Sequence, residues 1–376
     1  MRLVRDPGWP APFDRVGALV IASLALFLPL SMFAARWLGG PAAKVISFAA
    51  FIWMGMAFLL FSVVVLTDLL RVMLGLGGAL LAFARGAQEA SELGGERVEL
   101  ARREVLARAV ASTATVSAAA LTAVSVRAGL GEVEVAEVNV KLEKLPKALD
   151  GLTLVQLTDV HVGPTIGRKF IEAIVEKTNR ARPDAVVITG DLVDGSPEEL
   201  LEHLRPLSKL SARHGLYFVT GNHEYYSGAV RWVEVLGKLG IRVLRNERVW
   251  IGDTARLALA GVDDASAARM GVGHGADLSK ALAGCSEDAE VVLLAHQPKA
   301  VIEASTRDVG LVLSGHTHGG QIFPWGAFVG LTQPYVAGLH AHGERTQIYV
   351  SKGTGYWGPP MRLLAPSEIT KIVLST

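Results

Sequence analysis

The chain has 376 residues, with 37 Lys and Arg against 36 Asp and Glu, so no basic field argues for nucleic acid, and no aromatic and Arg-rich motif is present to read bases. Half of the residues are hydrophobic, which is high for a soluble protein of a length that fits two or three domains. The single cysteine, Cys285, excludes an intramolecular disulfide and any thiolate zinc cluster; with no partner motif around it, it reads as filler.

The hydrophobicity is concentrated at the front. Residues 16–35 and 45–67 run without a charge, and residues 109–126 add a third stretch richer in Ala, Ser and Thr. A bilayer core takes about 20 apolar residues, so these read as three transmembrane helices, since soluble helices seldom lack a polar face for so long. Residues 69–84 are preceded by Asp68 and interrupted by Arg71, and read as an interfacial or extended helix. Arg2, Arg5 and Arg15 precede the first span, and Arg85, Arg97, Arg102, Arg103 and Arg108 precede the last. With three spans, the positive-inside rule places the N-terminus and the long basic loop in the cytoplasm and everything after Val126 outside. Arg102-Arg103 before the last span is open to two readings, a twin-arginine export signal or an ordinary basic flank. A transporter is disfavoured because no ionisable pair is buried within the spans.

From residue 130 the chain changes character, which divides it into a membrane region, 1–129, and a second domain, 130–376. Residues 132–140 alternate polar with apolar, as a half-buried edge strand does. Strand and helix patterns then alternate: strand at 152–157, helix at 169–180, strand at 185–189, helix at 197–210, strand at 216–219 and helix at 229–239. Shorter strands are expected at 242–244, 249–251, 257–260, 291–294, 311–313, 347–350 and 369–374. This is an α/β domain.

Ligands in α/β sheets gather beyond the carboxyl ends of strands. Five strand ends carry ligand chemistry: Asp159-Val160-His161, Gly190-Asp191-Leu192-Val193-Asp194, Gly221-Asn222-His223-Glu224, Ala295-His296 and Gly315-His316-Thr317-His318. Two His at alternate positions at a strand's end point the same way, and flanking Gly lets backbone crowd close. Any one motif alone is compatible with a cap, a turn or structural histidines; five together have no simple packing explanation, because buried polar groups are costly unless partnered.

In identity and order these motifs resemble the calcineurin-like metallophosphoesterases, specifically the membrane-anchored bacterial branch, from about residue 130 onward. Ser351 to Gly355 and Pro366 to Ile369 are similar to the tail of that branch. The resemblance implies a four-layer αββα sandwich and two divalent ions, drawn from Mn, Fe, Zn or Mg by the mixed N/O ligand set. It implies Asp159, His161 and His318 on the first metal, Asn222, His296 and His316 on the second, and Asp191 bridging both. It further implies that His223 contacts phosphate and helps protonate the leaving oxygen, with Asp194 orienting it; a helix N-cap before Pro197 is the other reading of Asp194. Gly195 stands where many protein phosphatases of the superfamily carry an Arg, which weakens a protein phosphatase reading. The implied activity is hydrolysis of phosphodiester, pyrophosphate or phosphomonoester bonds, including those of a lipid-linked substrate such as the UDP-diacylglucosamine-type pyrophosphates that some relatives cleave. The rival is a catalytically silent phosphoesterase fold serving as a membrane scaffold or sensor. His203, His214 and His274 read as surface residues, and His340 and His342 match no ligand motif. Phe323, Trp325, Phe328, Tyr335, Tyr356 and Trp357 read as an apolar rim for a lipid or nucleotide moiety, as residues that dip into the membrane interface, or as satellite core, and Tyr225 and Tyr226 as pocket-lining.

A periplasmic-type phosphatase reporter fused after Thr376 is expected to be active, and a cytoplasmic reporter at the same place silent; the reverse pattern would overturn the three-span orientation.

Overall fold

The computed structural model describes residues 2–38, 40–84, 96–253 and 256–376. By compactness the chain divides into two units, Met1–Val126 and Arg127–Thr376.

The first unit is built on helices α1 (Phe13–Leu38), α2 (Gly40–Ala84) and α3 (Glu96–Gly129), the last of which runs on past the division. Each contains a segment long and apolar enough to cross a membrane: Phe13–Ser31, Gly40–Gly78 and Arg103–Gly129. Large side chains such as Leu19, Leu26, Phe61 and Val116 face outward, as lipid contact requires. Hydroxyls in the spans turn back on their own helices: Thr67 donates to the Val63 carbonyl, Thr115 to Ala111 and Thr122 to Ala118, each about one turn earlier. Thr115 and Thr122 of the third span are therefore partnered without water.

The expected second span and residues 69–84 form one continuous helix. At 45 residues α2 is about 67 Å long, more than twice a hydrocarbon core. Asp68 and Arg71 do not break it, since Asp68 is engaged by Arg2 at 3.0 Å and lies 3.8 Å from Arg71. Arg108 of α3 donates to the carbonyls of Pro7 and Gly8, so residues 2–8 gather the charges of α2 and α3 at one level. Arg102 and Arg103 lie within α3, and residues 85–95, with Arg85 of the expected basic loop, lie outside the described residues.

In the second unit the strands are β1 (Glu134–Lys141), β2 (Thr153–Leu157), β3 (Ala185–Ile188), β4 (Leu216–Phe218), β5 (Arg242–Val243), β6 (Glu247–Ile251), β7 (Leu257–Gly261), β8 (Val291–Leu294), β9 (Leu311–Ser314), β10 (Gly338–His342), β11 (Thr346–Val350) and β12 (Glu368–Ser375). They form two six-stranded sheets, ordered β1-β12-β2-β3-β4-β5 and β10-β11-β9-β8-β7-β6. Strands β2 to β5 run parallel to one another, as do β7, β8, β9 and β11, and the near-continuous Val, Leu and Ile runs of β3, β8 and β9 suit burial on both faces. β1 is an edge strand, as its alternation predicts.

Three apolar layers follow from side-chain alternation. Leu154, Val187, Leu259, Leu294 and Leu313 meet between the sheets. Val155, Val186 and Phe218 face α4 (Arg168–Arg180), α5 (Pro197–Leu204) and α7 (Ala229–Lys238), which present Ile171, Leu204 and Trp232. α6 (Asn222–Tyr226) precedes α7 at the site. On the other side Ala258, Leu293 and Val312 face α8 (Leu278–Ala281) and α9 (Ala300–Ala304). The result is the four-layer αββα sandwich, with α10 (Trp325–Val329) on a long connection after β9. The helix expected over 197–210 ends at Leu204 and continues as a 3-10 turn, because Pro206 supplies no N–H and disfavours helical backbone at Arg205. β10 was not expected at all.

Polar links hold the ends of β11 and β12 together. Glu368 accepts from the Tyr349 hydroxyl at 2.7 Å and the Lys352 ammonium at 2.7 Å. Burial pushes its carboxyl up, but these donors outweigh burial and the net shift is down. A depressed carboxylate contributes stability above its ordinary pKa, about 4.3, and loses it as pH falls through the folded value. Glu368→Gln should cost roughly 1–3 kcal/mol near neutral pH, with the gap to wild type closing as pH drops below about 4, measured by unfolding of the purified protein.

Candidate metal centre

The expected ligands sit just past the strands. β2 stops at Leu157 and β9 at Ser314, and beyond them the backbone enters the left-handed region at Asp159 (φ 52°), His161 (φ 55°), His316 (φ 70°) and His318 (φ 52°), as it does at Asp191 (φ 51°) after β3. Strand alternation is therefore not what aims these residues. His316 and His318 do not point the same way, as an extended strand end would require; the turn sends them to different groups. Left-handed backbone at a non-glycine residue costs of order 1–3 kcal/mol and persists only where the surroundings enforce it.

Six of the seven expected ligands form two triads. In the first, His161 Nε2 lies 3.1 Å from His318 Nε2, which lies 3.5 Å from Asp159 Oδ1. In the second, His296 Nε2 lies 3.1 Å from Asp191 Oδ2 and 3.2 Å from His316 Nδ1. Asp191 Oδ2 also faces the first triad, 3.9 Å from His161 Nε2. Asn222, the seventh, is buried at the start of the helix that carries His223, and its Oδ1 accepts no hydrogen bond. His223 Nδ1 and His161 Nδ1 share one oxygen, Asp194 Oδ1, at 2.6 and 3.1 Å. The N-cap position before Pro197 belongs to Ser196, so Asp194 is not the cap.

The donor set fits divalent cations. Pairs of ring nitrogens converge at hydrogen-bond distance beside buried carboxylates, and an orphaned buried amide oxygen asks for a positive partner. His296 Nδ1 lies 2.8 Å from the Thr189 carbonyl, which holds a proton on Nδ1 and turns Nε2 toward Asp191; burial acts to lower this ring, but Asp191 and Asp159 raise it well above the usual imidazole range, so an ion bound at Nε2 would displace a proton. Burial, then His296, pushes His316 down to about 4, and burial with His161 pushes His318 well below the usual range, so both rings stay neutral, the ligating form. For Asp191 burial acts upward, but His296, His223 and His161 hold the carboxyl well below its ordinary range; Asp194, likewise opposed by burial, is drawn to about 2 by His161 and His223.

Two glycines permit the closeness. A Cβ on Gly221 would lie 2.2 Å from Asp191 Oδ1, and one on Gly315 would lie 2.1 Å from Asp159 Oδ2. Glu224, quoted in a motif but given no role from sequence, is fully buried and accepts from Gly221 N at 2.6 Å, Leu192 N at 2.8 Å and Asp191 N at 3.0 Å. Arg362 carried no sequence signal. It is buried behind the first triad, donates to the carbonyls of His318, Lys352, Ala365 and Gly355, and is lowered by burial to about 10. Tyr226 and Trp357 stand edge-on to His223, with ring centroids at 5.2 and 5.5 Å. His203, His214, His274, His340 and His342 join none of the metal-type groups among the described residues; His340 and His342 lie on β10 and bond the Ala337 carbonyl and Tyr335.

Two mixed sheets inside helical layers, with Asp, His and Asn gathered at their carboxyl ends, define a metallophosphoesterase type of protein. The profile of the calcineurin-like phosphoesterases matches residues 152–320. The chain is 37% identical over 247 residues to a metallophosphoesterase of Aquifex aeolicus, covering 64% of this chain and 92% of that one. It therefore belongs to the calcineurin-like phosphoesterase family. It is also 31% identical over 256 residues to metallophosphoesterase YkuE of Bacillus subtilis, covering 65% of this chain and 86% of the other. A protein of Danio rerio described as a transmembrane protein with metallophosphoesterase domain is 45% identical over 249 residues, 64% of this chain and 57% of that protein. Similarity thus reaches animals as well as bacteria, and the match spans little more than half the length of the animal relatives.

Gly221→Ala and Gly315→Ala should each lower metal affinity roughly 10- to 100-fold by displacing a carboxylate, read by metal analysis of folded protein, while Gly237→Ala, with open space around it, should change nothing.

Proposed function

We propose that the chain is a membrane-anchored phosphoesterase that holds two divalent ions and hydrolyses phosphodiester, pyrophosphate or phosphomonoester bonds, with a lipid-linked phosphate ester as its substrate. The observation that supports this most is the pairing of two triads on either side of one carboxylate oxygen, Asp191 Oδ2. In this reading Asp159, His161 and His318 hold one ion, Asn222, His296 and His316 the other, and Asp191 both. When bound, such ions supply Lewis acidity toward phosphoryl oxygens and acidify water.

The chain's own groups do the rest. Asp194 occupies His223 Nδ1 and leaves Nε2 facing the centre, 4.0 Å from Asp191 Oδ2. From there His223 Nε2 binds phosphate and passes its proton to the leaving oxygen. Because the same Asp194 oxygen touches His161, one carboxylate positions a ligand ring and the acid ring together. Gly195 offers only its carbonyl, to the Trp232 indole N–H at 3.0 Å, so no guanidinium follows Asp194 to grip a phosphoprotein. The three apolar helices favour a substrate presented at a bilayer.

Paired mono- and diester substrates, offered to the full chain with and without chelator, test the reading. Asp191→Asn should abolish turnover, and His223→Ala should lower kcat about 10²- to 10⁴-fold while metal content is retained. His316→Ala and His318→Ala should deplete different ions. Turnover that survives chelation, or an undiminished Asp191→Asn rate, would remove the mechanism.

A further inference from the structure

The strap between the metal centre and β10 is built like a surface meant to leave water. Residues 319–343 contain no Asp, Glu, Lys or Arg. Within this strap Phe323, Trp325, Phe328 and Leu331 are exposed, Leu331 by 82%. They lie together: the Trp325 and Phe328 rings are 5.5 Å apart, and Leu331 N bonds the Phe328 carbonyl at 3.1 Å. Phe323 N bonds the Leu363 carbonyl at 3.2 Å, which brings in Leu364, also 82% exposed. Trp357 is clasped to the root of the strap by two bonds with Gln321, at 2.9 and 3.0 Å, and its ring is the one edge-on to His223. Exposed apolar residues thus extend from the uncharged strap to the ring beside His223.

We propose that this surface docks into the interfacial region of the phospholipid bilayer that the N-terminal helices cross, so that the centre opens against the membrane face. The inference rests on the membrane-anchored reading above and adds which face meets lipid. Three observations select the bilayer as occupant. The last candidate span ends at Gly129 and β1 begins at Glu134, so a linker with a reach of roughly 15 Å keeps this unit at the membrane. The surface carries two Trp with Phe and Leu, the composition that settles at the headgroup boundary. Phe323, Trp325, Phe328, Leu331, Trp357 and Leu364, each more than half exposed, lie on this strap and on the segments bonded to it, more than singly scattered surface residues explain.

The full chain, in a Cys285→Ser background, is reconstituted into vesicles of phosphatidylcholine and phosphatidylglycerol, with a polarity-sensitive fluorophore on Phe328→Cys or Leu331→Cys. Ile302→Cys and Val272→Cys, exposed apolar positions elsewhere in the unit, are the controls. Blue-shifted emission at 328 and 331, quenched roughly twofold or more by doxyl-labelled acyl chains and not at the controls, supports docking. Water-like emission at 328 and 331, or equal quenching at all four positions, overturns it, as does coupling between labels of two copies without lipid quenching. None of these signals needs catalysis, so a docked chain without turnover would sink the enzymatic reading and leave the docking surface standing. Phe328→Glu with Leu331→Glu should leave hydrolysis of a soluble ester within about twofold and lower that of a vesicle-embedded ester roughly tenfold; equal losses on both would count against docking.

Discussion

One carboxylate fastens the two strand ends on which the centre is built. Glu224 reaches from α6 to take the N–H groups of Gly221, Asp191 and Leu192 at once, so the loop after β4 and the loop after β3 cannot separate. Its three backbone donors offset only part of the cost of burial, since burial and the Asp191 charge push the Glu224 carboxyl up to about 7. Asp191 then bonds the His223 N–H at 2.8 Å, and Asp159 takes the His316 N–H at 2.9 Å, which joins the first sheet to the second. The carboxylates proposed as ligands thus act as structural acceptors as well, and these hydrogen bonds stiffen the centre on their own.

That stiffness is needed because the backbone is held uphill. Five of the expected ligands have left-handed dihedrals, and glycines at 221 and 315 leave no room for a side chain between them. Strain of this kind is sustained by the double-sheet core beneath, where Gln156 bonds both Thr189 and the Ser314 carbonyl across the layers. Stability stored in Val, Leu and Ile layers is what lets the polar end depart from ordinary geometry.

Much of this was legible in the sequence. Parallel strands buried on both faces leave apolar runs whose ends can be read, and a strand end is where ligands must lie, so five motifs could be assembled without a fold. The αββα layering came from the family resemblance rather than from periodicity. What stayed hidden is physical in each case. Left-handed backbone at His316 and His318 has no composition signature, so alternation suggested one direction where the chain takes two. β10 alternates half-buried with exposed residues and lacks an apolar run. Arg362 reaches the carbonyls of His318 and Gly355 only through tertiary proximity, and periodicity cannot report a buried cation. Pro206 was visible, and it should have ended the helix before 210.

The place of β12 has a consequence for how the molecule is made. It lies between β1 and β2, pairing Glu134 with Glu368 and Thr153 with Val373, so the first sheet is split until the last strand is synthesised. Contacts so distant in sequence form late, and until then β1 and β2 offer open edges to any neighbouring chain. By that stage α1 to α3, the candidate membrane helices, have already been synthesised, well before the strand that closes the first sheet. The order of the elements thus places the candidate membrane helices ahead of the strand that removes these open edges.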